Sequence, residues 1–208
     1  MQFAGEFETH LTIDSRSPRD VHSLRAWAVE HHLKCVHIIL ARGQTASQPM
    51  LTRHSRGVLA SELEIASALS HQLTLEGFTV SRIKLEVPPH NPDIPQSDAD
   101  AAAQPPDRYF EHHVKLLLND DANTHAISNL AQRHGAHLSR NALRVRADAS
   151  QERFITQRCH HVGRPIARQR LDALLNDLSK LNCPVIEVEE EFVVYDSNLN
   201  VDAGWINT

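Results

Sequence analysis

Apolar and polar residues alternate from Phe7 to Asp14, with Phe7, Leu11 and Ile13 on one side and Glu8, His10 and Thr12 on the other. A period of two predicts a strand with one buried face. Asp20 stands where a helix N-cap belongs, ahead of the apolar stripe Val21, Leu24, Trp27, Ala28 and His31. Val36 to Arg42 reads as a second strand, Gly43 to Gln48 as a turn, and Pro49 to His54 as a third strand ending near Gly57. Ser61 with Glu64 makes a capping-box pattern before Ile65, Leu69 and Leu73 at helical spacing. Gly77 stops that helix, and Thr79 to Val87 reads as a fourth strand.

The second half repeats the order. Tyr109 to Leu118 predicts a strand, followed by a helix with Ile127, Leu130, Ala131, His134 and Leu138 on one face. Strands at Ala142 to Ala147 and Arg153 to Cys159 come next. A helix striped by Leu171, Leu174, Leu175, Leu178 and Leu181 follows, and a last strand runs from about Val185 to Tyr195. The order is βαββαβ twice, which resembles the ferredoxin-like fold: α+β, with antiparallel sheets and the helices on one face.

A shift of 103 residues aligns Phe7-Glu8-Thr9-His10-Leu11-Thr12-Ile13 with Phe110-Glu111-His112-His113-Val114-Lys115-Leu116. The same shift superposes His10 on His113, His22 on His125 and His31 on His134, three coincidences where random placement gives about 0.7. With small drifts of offset, Thr52 matches Thr156, Gly57 matches Gly163 and Glu86 matches Glu191. We read a tandem duplication. Residues 1–87 form the first ferredoxin-like repeat, 88–107 a linker, 108–196 the second repeat and 197–208 a C-terminal tail. The linker holds six of the ten prolines and reads as extended. Two units this small are expected to pack as one pseudo-twofold body. In the tail, Trp205 and Ile206 are expected to dock on the body or on a partner.

Composition narrows the function classes. A net charge of -5 argues against a general nucleic-acid or anionic-membrane binder. No apolar run approaches a membrane span, and the first ten residues do not read as a secretory signal. Three cysteines without a C-x-x-C, Cys35, Cys159 and Cys183, read as free thiols of a cytoplasmic protein. Glycine-rich phosphate loops and the common hydrolase motifs are absent from the sequence.

The strands' polar positions carry the candidate chemistry. Glu8 and His10, and likewise Glu111 and His113, lie two residues apart and so share a face. The fourth strands add Arg82, Lys84 and Glu86, and Glu187, Glu189 and Glu191; the third strands add Thr52 and His54, and Thr156, Arg158 and His160. Two E-x-H pairs, Glu8, His10, Glu111 and His113, would supply two imidazoles and two carboxylates to a divalent metal such as zinc, manganese or iron. His31 and His134 fall on apolar helical stripes and read as core-edge residues bonded to backbone; His22 and His125 read as surface residues. Cys159-His160-His161 and the set His32, Cys35, His37 lack the paired spacing of a zinc site.

His10-Leu11-Thr12-Ile13 resembles the H-x-T-x motif of the 2H phosphoesterases, a duplicated, bilobal family with one such motif per half. The resemblance implies acid and base roles for His10 and His113 and phosphate contacts from Thr12; Lys115 stands where the second motif has Thr or Ser. The leading expectation is that a metal ion or a small anionic ligand binds in a polar His/Glu-lined cleft between the repeats. The alternatives are a phosphoester hydrolase built on His10 and His113, and a non-catalytic interaction module whose sheet edge pairs with a partner or a second copy as a homo-oligomer.

Overall fold

The computed structural model describes residues 2–16, 19–119, 122–143 and 150–205. The first repeat supplies β1 (Ala4–Ile13), α1 (Val21–Glu30), β2 (Lys34–Leu40), β3 (Ser47–Val58), α2 (Leu59–Leu75) and β4 (Val80–Val87). A short α3 (Asp98–Ala102) interrupts the linker. The second repeat supplies β5 (Tyr109–Leu118), α4 (Thr124–Arg133), β6 (Ala136–Asn141), β7 (Gln151–His160), α5 (Arg164–Lys180) and β8 (Val185–Asp196), and a 3₁₀ turn covers Leu199–Asp202.

Each repeat makes an antiparallel ferredoxin-like sheet with its first strand central: β1 lies between β3 and β4, and β5 between β7 and β8. The edges then meet. β2 pairs with β6 from Ile38↔Asn141 to Leu40↔Ser139, and β4 pairs with β8 from Lys84↔Asp196 to Val87↔Phe192. The two sheets close into one eight-stranded barrel. This is the α+β tandem duplication read from the sequence, with the pseudo-twofold expressed as edge-to-edge closure.

Closure inverts the usual distribution of polarity. The apolar strand positions face outward under the helices, where Leu11, Leu51 and Leu73 pack with Trp27, and Val114, Ile155 and Leu171 pack with Leu130. A third cluster crosses the β4–β8 seam, joining Phe7 and Leu85 to Phe110 and Phe192. The alternate positions face the lumen, which for eight strands is just wide enough for side chains and one small ligand.

Five local expectations need correction. The linker is not wholly extended: Ser97 and Asp100 form a capping box that starts α3, and Ile94 and Ala101 are buried. The sixth strand is Ala136–Asn141 rather than Ala142 to Ala147, of which 144–147 lie outside the described residues. Gly135, in the left-handed region at φ 63°, ends α4 early, so Leu138 belongs to the strand although its spacing also continues the helical stripe. Helix α2 begins at Leu59, before Ser61 and Glu64, and its first N–H bonds Phe3 O at 3.0 Å instead of a side-chain cap. His31 is exposed and stacks on Trp27 at 3.8 Å, and His134 bonds Asp177 at 2.9 Å, so neither ring relies on backbone.

Three cysteines are free, Cys159 on the outer core and Cys35 and Cys183 half-buried. Trp205 is buried against Leu40, whereas Ile206 lies outside the described residues. Among the described residues no helix is long and apolar enough to cross a membrane.

The linker is bound to both repeats: Asn91 Nδ2 donates to Ala4 O (2.9 Å), and Arg164 N donates to Pro95 O (2.9 Å). Gly163 sits where a Cβ would fall 2.6 Å from Ser97 Cα. We expect Gly163→Ala to cost about 1–3 kcal/mol by forcing the linker away. Urea denaturation checks this, and an unchanged midpoint would contradict it.

Candidate functional site

The lumen holds a cavity of about 270 Å³ lined by residues of all eight strands. Glu8, His10 and Thr12 enter from β1, and Glu111, His113 and Lys115 from β5. Each imidazole is held the same way in its repeat. His10 Nδ1 lies 2.9 Å from Thr52 Oγ1, and His113 Nδ1 lies 3.1 Å from Thr156 Oγ1. The hydroxyl comes from the residue directly across on the third strand in both cases. That contact turns each Nε2 toward the carboxylates of the lumen: His10 Nε2 is 2.8 Å from Glu86 and 3.5 Å from Glu8, and His113 Nε2 is 3.3 Å from Glu111 and 3.6 Å from Glu191.

Glu86, His113 and Glu191 each present a ligand atom, and these atoms lie within 4.8 Å of one another. His10 stands behind Glu86. The two glutamates are equivalents in the duplication, and each is directly across from the Glu of an E-x-H pair, Glu86 from Glu8 and Glu191 from Glu111. The centre therefore draws its two glutamates from positions that the repeat relates, and its imidazole from the second repeat.

All four residues first expected to gather line this cavity, with Glu8 and His10 3.5 Å apart and Glu111 and His113 3.3 Å apart. Glu111 is engaged by Arg158 Nε and Lys84 Nζ, so its charge is already countered on two sides. Glu8 lies 3.5 Å from both His10 and the largely exposed His54. Thr12 is buried beside the cavity, and Lys115 is paired with Glu187 (3.3 Å) and Glu152 (3.5 Å). His160 leaves the lumen set and packs its ring on Tyr109 at 4.6 Å.

A chain of buried ion pairs runs across the lumen. Glu86 contacts Lys84 (2.8 Å), Lys84 contacts Glu111, Glu111 contacts Arg158, and Asp202 joins Arg158 (2.7 Å) to Arg82 (2.8 Å). Arg82 ends the chain on Asp196, which also accepts from Tyr109 OH at 2.8 Å. Burial alone would raise the Glu86 carboxyl, but Lys84 and His10 outweigh it and lower it to about 2. Glu111 is likewise held well below its ordinary value against the cost of burial, chiefly by Arg158 and Lys84. Burial resists charge on His113, yet its bond to Glu111 raises it above the usual imidazole value.

Glu191 goes the other way. Burial and the facing Glu86 carboxylate push it well above its ordinary value, and the attraction of Lys84 does not compensate. Glu191 is thus a carboxylate whose ionisation the lumen resists.

Asp196, Asp202, Gln48 and Tyr109 join the network without having been singled out in the sequence. For Asp196 the cause is a register shift between Leu85 and Glu86 that places Val193 and Tyr195 across from consecutive residues. The extra residue reverses the alternation counted from Glu191 and turns Asp196 inward.

No family model matches the chain. No curated protein matches it either. Among solved structures, the small subunit of acetolactate synthase from Thermotoga maritima is similar at 13% identity and a TM-score of 0.32, over 93% of this chain and 96% of that one. A mutant chlorite dismutase from Candidatus Nitrospira defluvii is similar at 12% identity and a TM-score of 0.30, over 91% of each chain.

The raised Glu191 gives a signed prediction. A group raised in the folded state contributes stability below its unfolded value, near 4.5, and loses it as pH rises through the folded value. Glu191→Gln escapes that loss. In metal-free buffer at pH 8 the variant is expected to melt a few degrees above wild type, at about 2–4 °C per kcal/mol for a chain of this size. The gap should close toward pH 4. A variant that melts lower than wild type at pH 8 would contradict this electrostatic picture.

Proposed function

We propose that the barrel lumen binds a divalent metal ion on Glu86, His113 and Glu191 and offers it to a small ligand. The observation that carries this reading is the convergence of those three donors within 4.8 Å, with His113 and Glu191 lining the cavity. One imidazole nitrogen and two carboxylates suit zinc, manganese or ferrous iron. Thr156 supports the assignment, because a hydroxyl on Nδ1 fixes the ring and leaves Nε2 for the metal. Glu191 supports it too, since a dication would supply the positive charge that this carboxylate lacks.

Energetics favour a functional origin for the charged lumen. Replacing buried ion pairs by packed apolar residues is often neutral or stabilising. A barrel of this size closes equally well around apolar side chains. Retaining Arg82, Lys84 and Arg158 opposite so many carboxylates therefore does little for the fold, and binding explains it better.

Elemental analysis and calorimetric titration with Mn²⁺ or Zn²⁺ test the proposal. Wild type is expected to take up about one equivalent. His113→Ala and Glu191→Gln should bind about 10–100-fold more weakly, and Thr156→Val about tenfold more weakly with the donors intact. Absence of binding by folded wild type, or equal binding by His113→Ala, would overturn the reading.

A further inference from the structure

One end of the lumen is filled by the chain's own C-terminal segment. The 3₁₀ turn Leu199–Asp202 carries Asp202 inside the barrel, where it is buried. Asp202 Oδ2 accepts from Arg82 Nη1 (2.8 Å) and Arg158 Nη2 (2.7 Å), and Oδ1 accepts from Gln48 Nε2 (2.9 Å). The three donors come from β4, β7 and β3, so elements of both repeats converge on one carboxylate.

The two guanidinium groups are held independently of that carboxylate. Arg82 Nε donates to Asp196 at 2.8 Å, and Arg158 Nε donates to Glu111. Arg158 also lies over the Tyr109 ring at 4.9 Å. Both side chains are more than nine-tenths buried, and Arg158 Nη1 has no hydrogen-bond partner among the described residues. Two fixed guanidinium groups on one oxygen and an amide on the other make a pre-organised receptor for a carboxylate, with one donor to spare.

The occupant is attached through a separable strap. Trp205 docks against Leu40, its indole N–H reaching Leu138 O at 3.3 Å, and Gln44 N donates to Ala203 O at 2.9 Å. Gly43 lies beneath it with φ 111°, and a Cβ there would fall 2.9 Å from Trp205 Cβ. The strap crosses the β2–β3 turn, and its β-bridge among the described residues is at Ala203.

We propose that Arg82, Arg158 and Gln48 form a carboxylate-binding subsite in the lumen, and that Asp202 is its resident occupant, displaced when a small carboxylate ligand enters. This stands apart from the metal reading, because none of the three donors pairs with Glu86, His113 or Glu191. Metal-free protein therefore suffices for the test.

The test is calorimetric titration of full-length protein with sodium acetate against sodium chloride. Asp202→Gly removes the occupant's carboxylate and is expected to bind acetate with a dissociation constant on the order of 1–10 mM. Wild type should bind at least about tenfold more weakly, because the tethered Asp202 competes. Adding Arg158→Gln should abolish the binding. No acetate binding by Asp202→Gly, or binding that survives Arg158→Gln, overturns the subsite. If Asp202→Gly does not fold, the Trp27→Phe chain decides, because it leaves Trp205 as its sole tryptophan. Acrylamide quenching of Trp205 that rises in acetate above equal chloride supports displacement of the strap, and identical quenching overturns it.

Discussion

The pairing of edge strands between the two repeats governs everything else in this molecule. A single ferredoxin-like unit covers one sheet face with helices and leaves two edges and the other face open. Here β2 joins β6 and β4 joins β8, which uses both pairs of edges. Once the edges are joined, the uncovered faces have no direction to point but inward. Polar residues that would be solvated on an open sheet then share a cavity of about 270 Å³.

Confinement sets the electrostatics. Charges that water would screen on a surface interact strongly in the lumen, so each must find a partner or shift its protonation. Arg82, Lys84 and Arg158 meet Glu86, Glu111, Asp196 and Asp202 in a continuous chain. Glu191 is left with His113 at 3.6 Å and a facing like charge. The duplication adds an asymmetry: β4 carries Arg82 and Lys84 where β8 carries Glu187 and Glu189. The two walls of the lumen are thus of opposite character, and cation- and anion-binding geometries arise within one cavity.

Much of this was legible in the sequence, for a physical reason. Strand alternation and the repeat both survive in residue types, so Glu8, His10, Glu111 and His113 fall on one face by counting, and Glu86 and Glu191 emerge as a matched pair. Distance between strands is not written in either pattern. The sequence therefore did not show that Glu111 is taken up by Arg158 and Lys84, or that Glu86 and Glu191 bring ligand atoms within 4.8 Å of His113. A bulge in β8 hid Asp196, because one extra residue reverses the alternation. Asp202 was hidden because a 3₁₀ turn has no periodicity to read, and only the barrel's closure gives its carboxylate two arginines. Helix α3 escaped for a similar reason: the prolines at either end of the linker mask five residues capped by Ser97.

The central claim is that Glu86, His113 and Glu191 form one metal-binding centre inside the barrel, with His10 directly behind it. Imidazole resonances of ¹⁵N-histidine-labelled protein, followed during addition of substoichiometric Mn²⁺, test it most directly. The account predicts early and selective broadening of His113 and His10, with the exposed His22 and His125 unaffected. Broadening confined to the exposed imidazoles, or spread evenly over all of them, would contradict it.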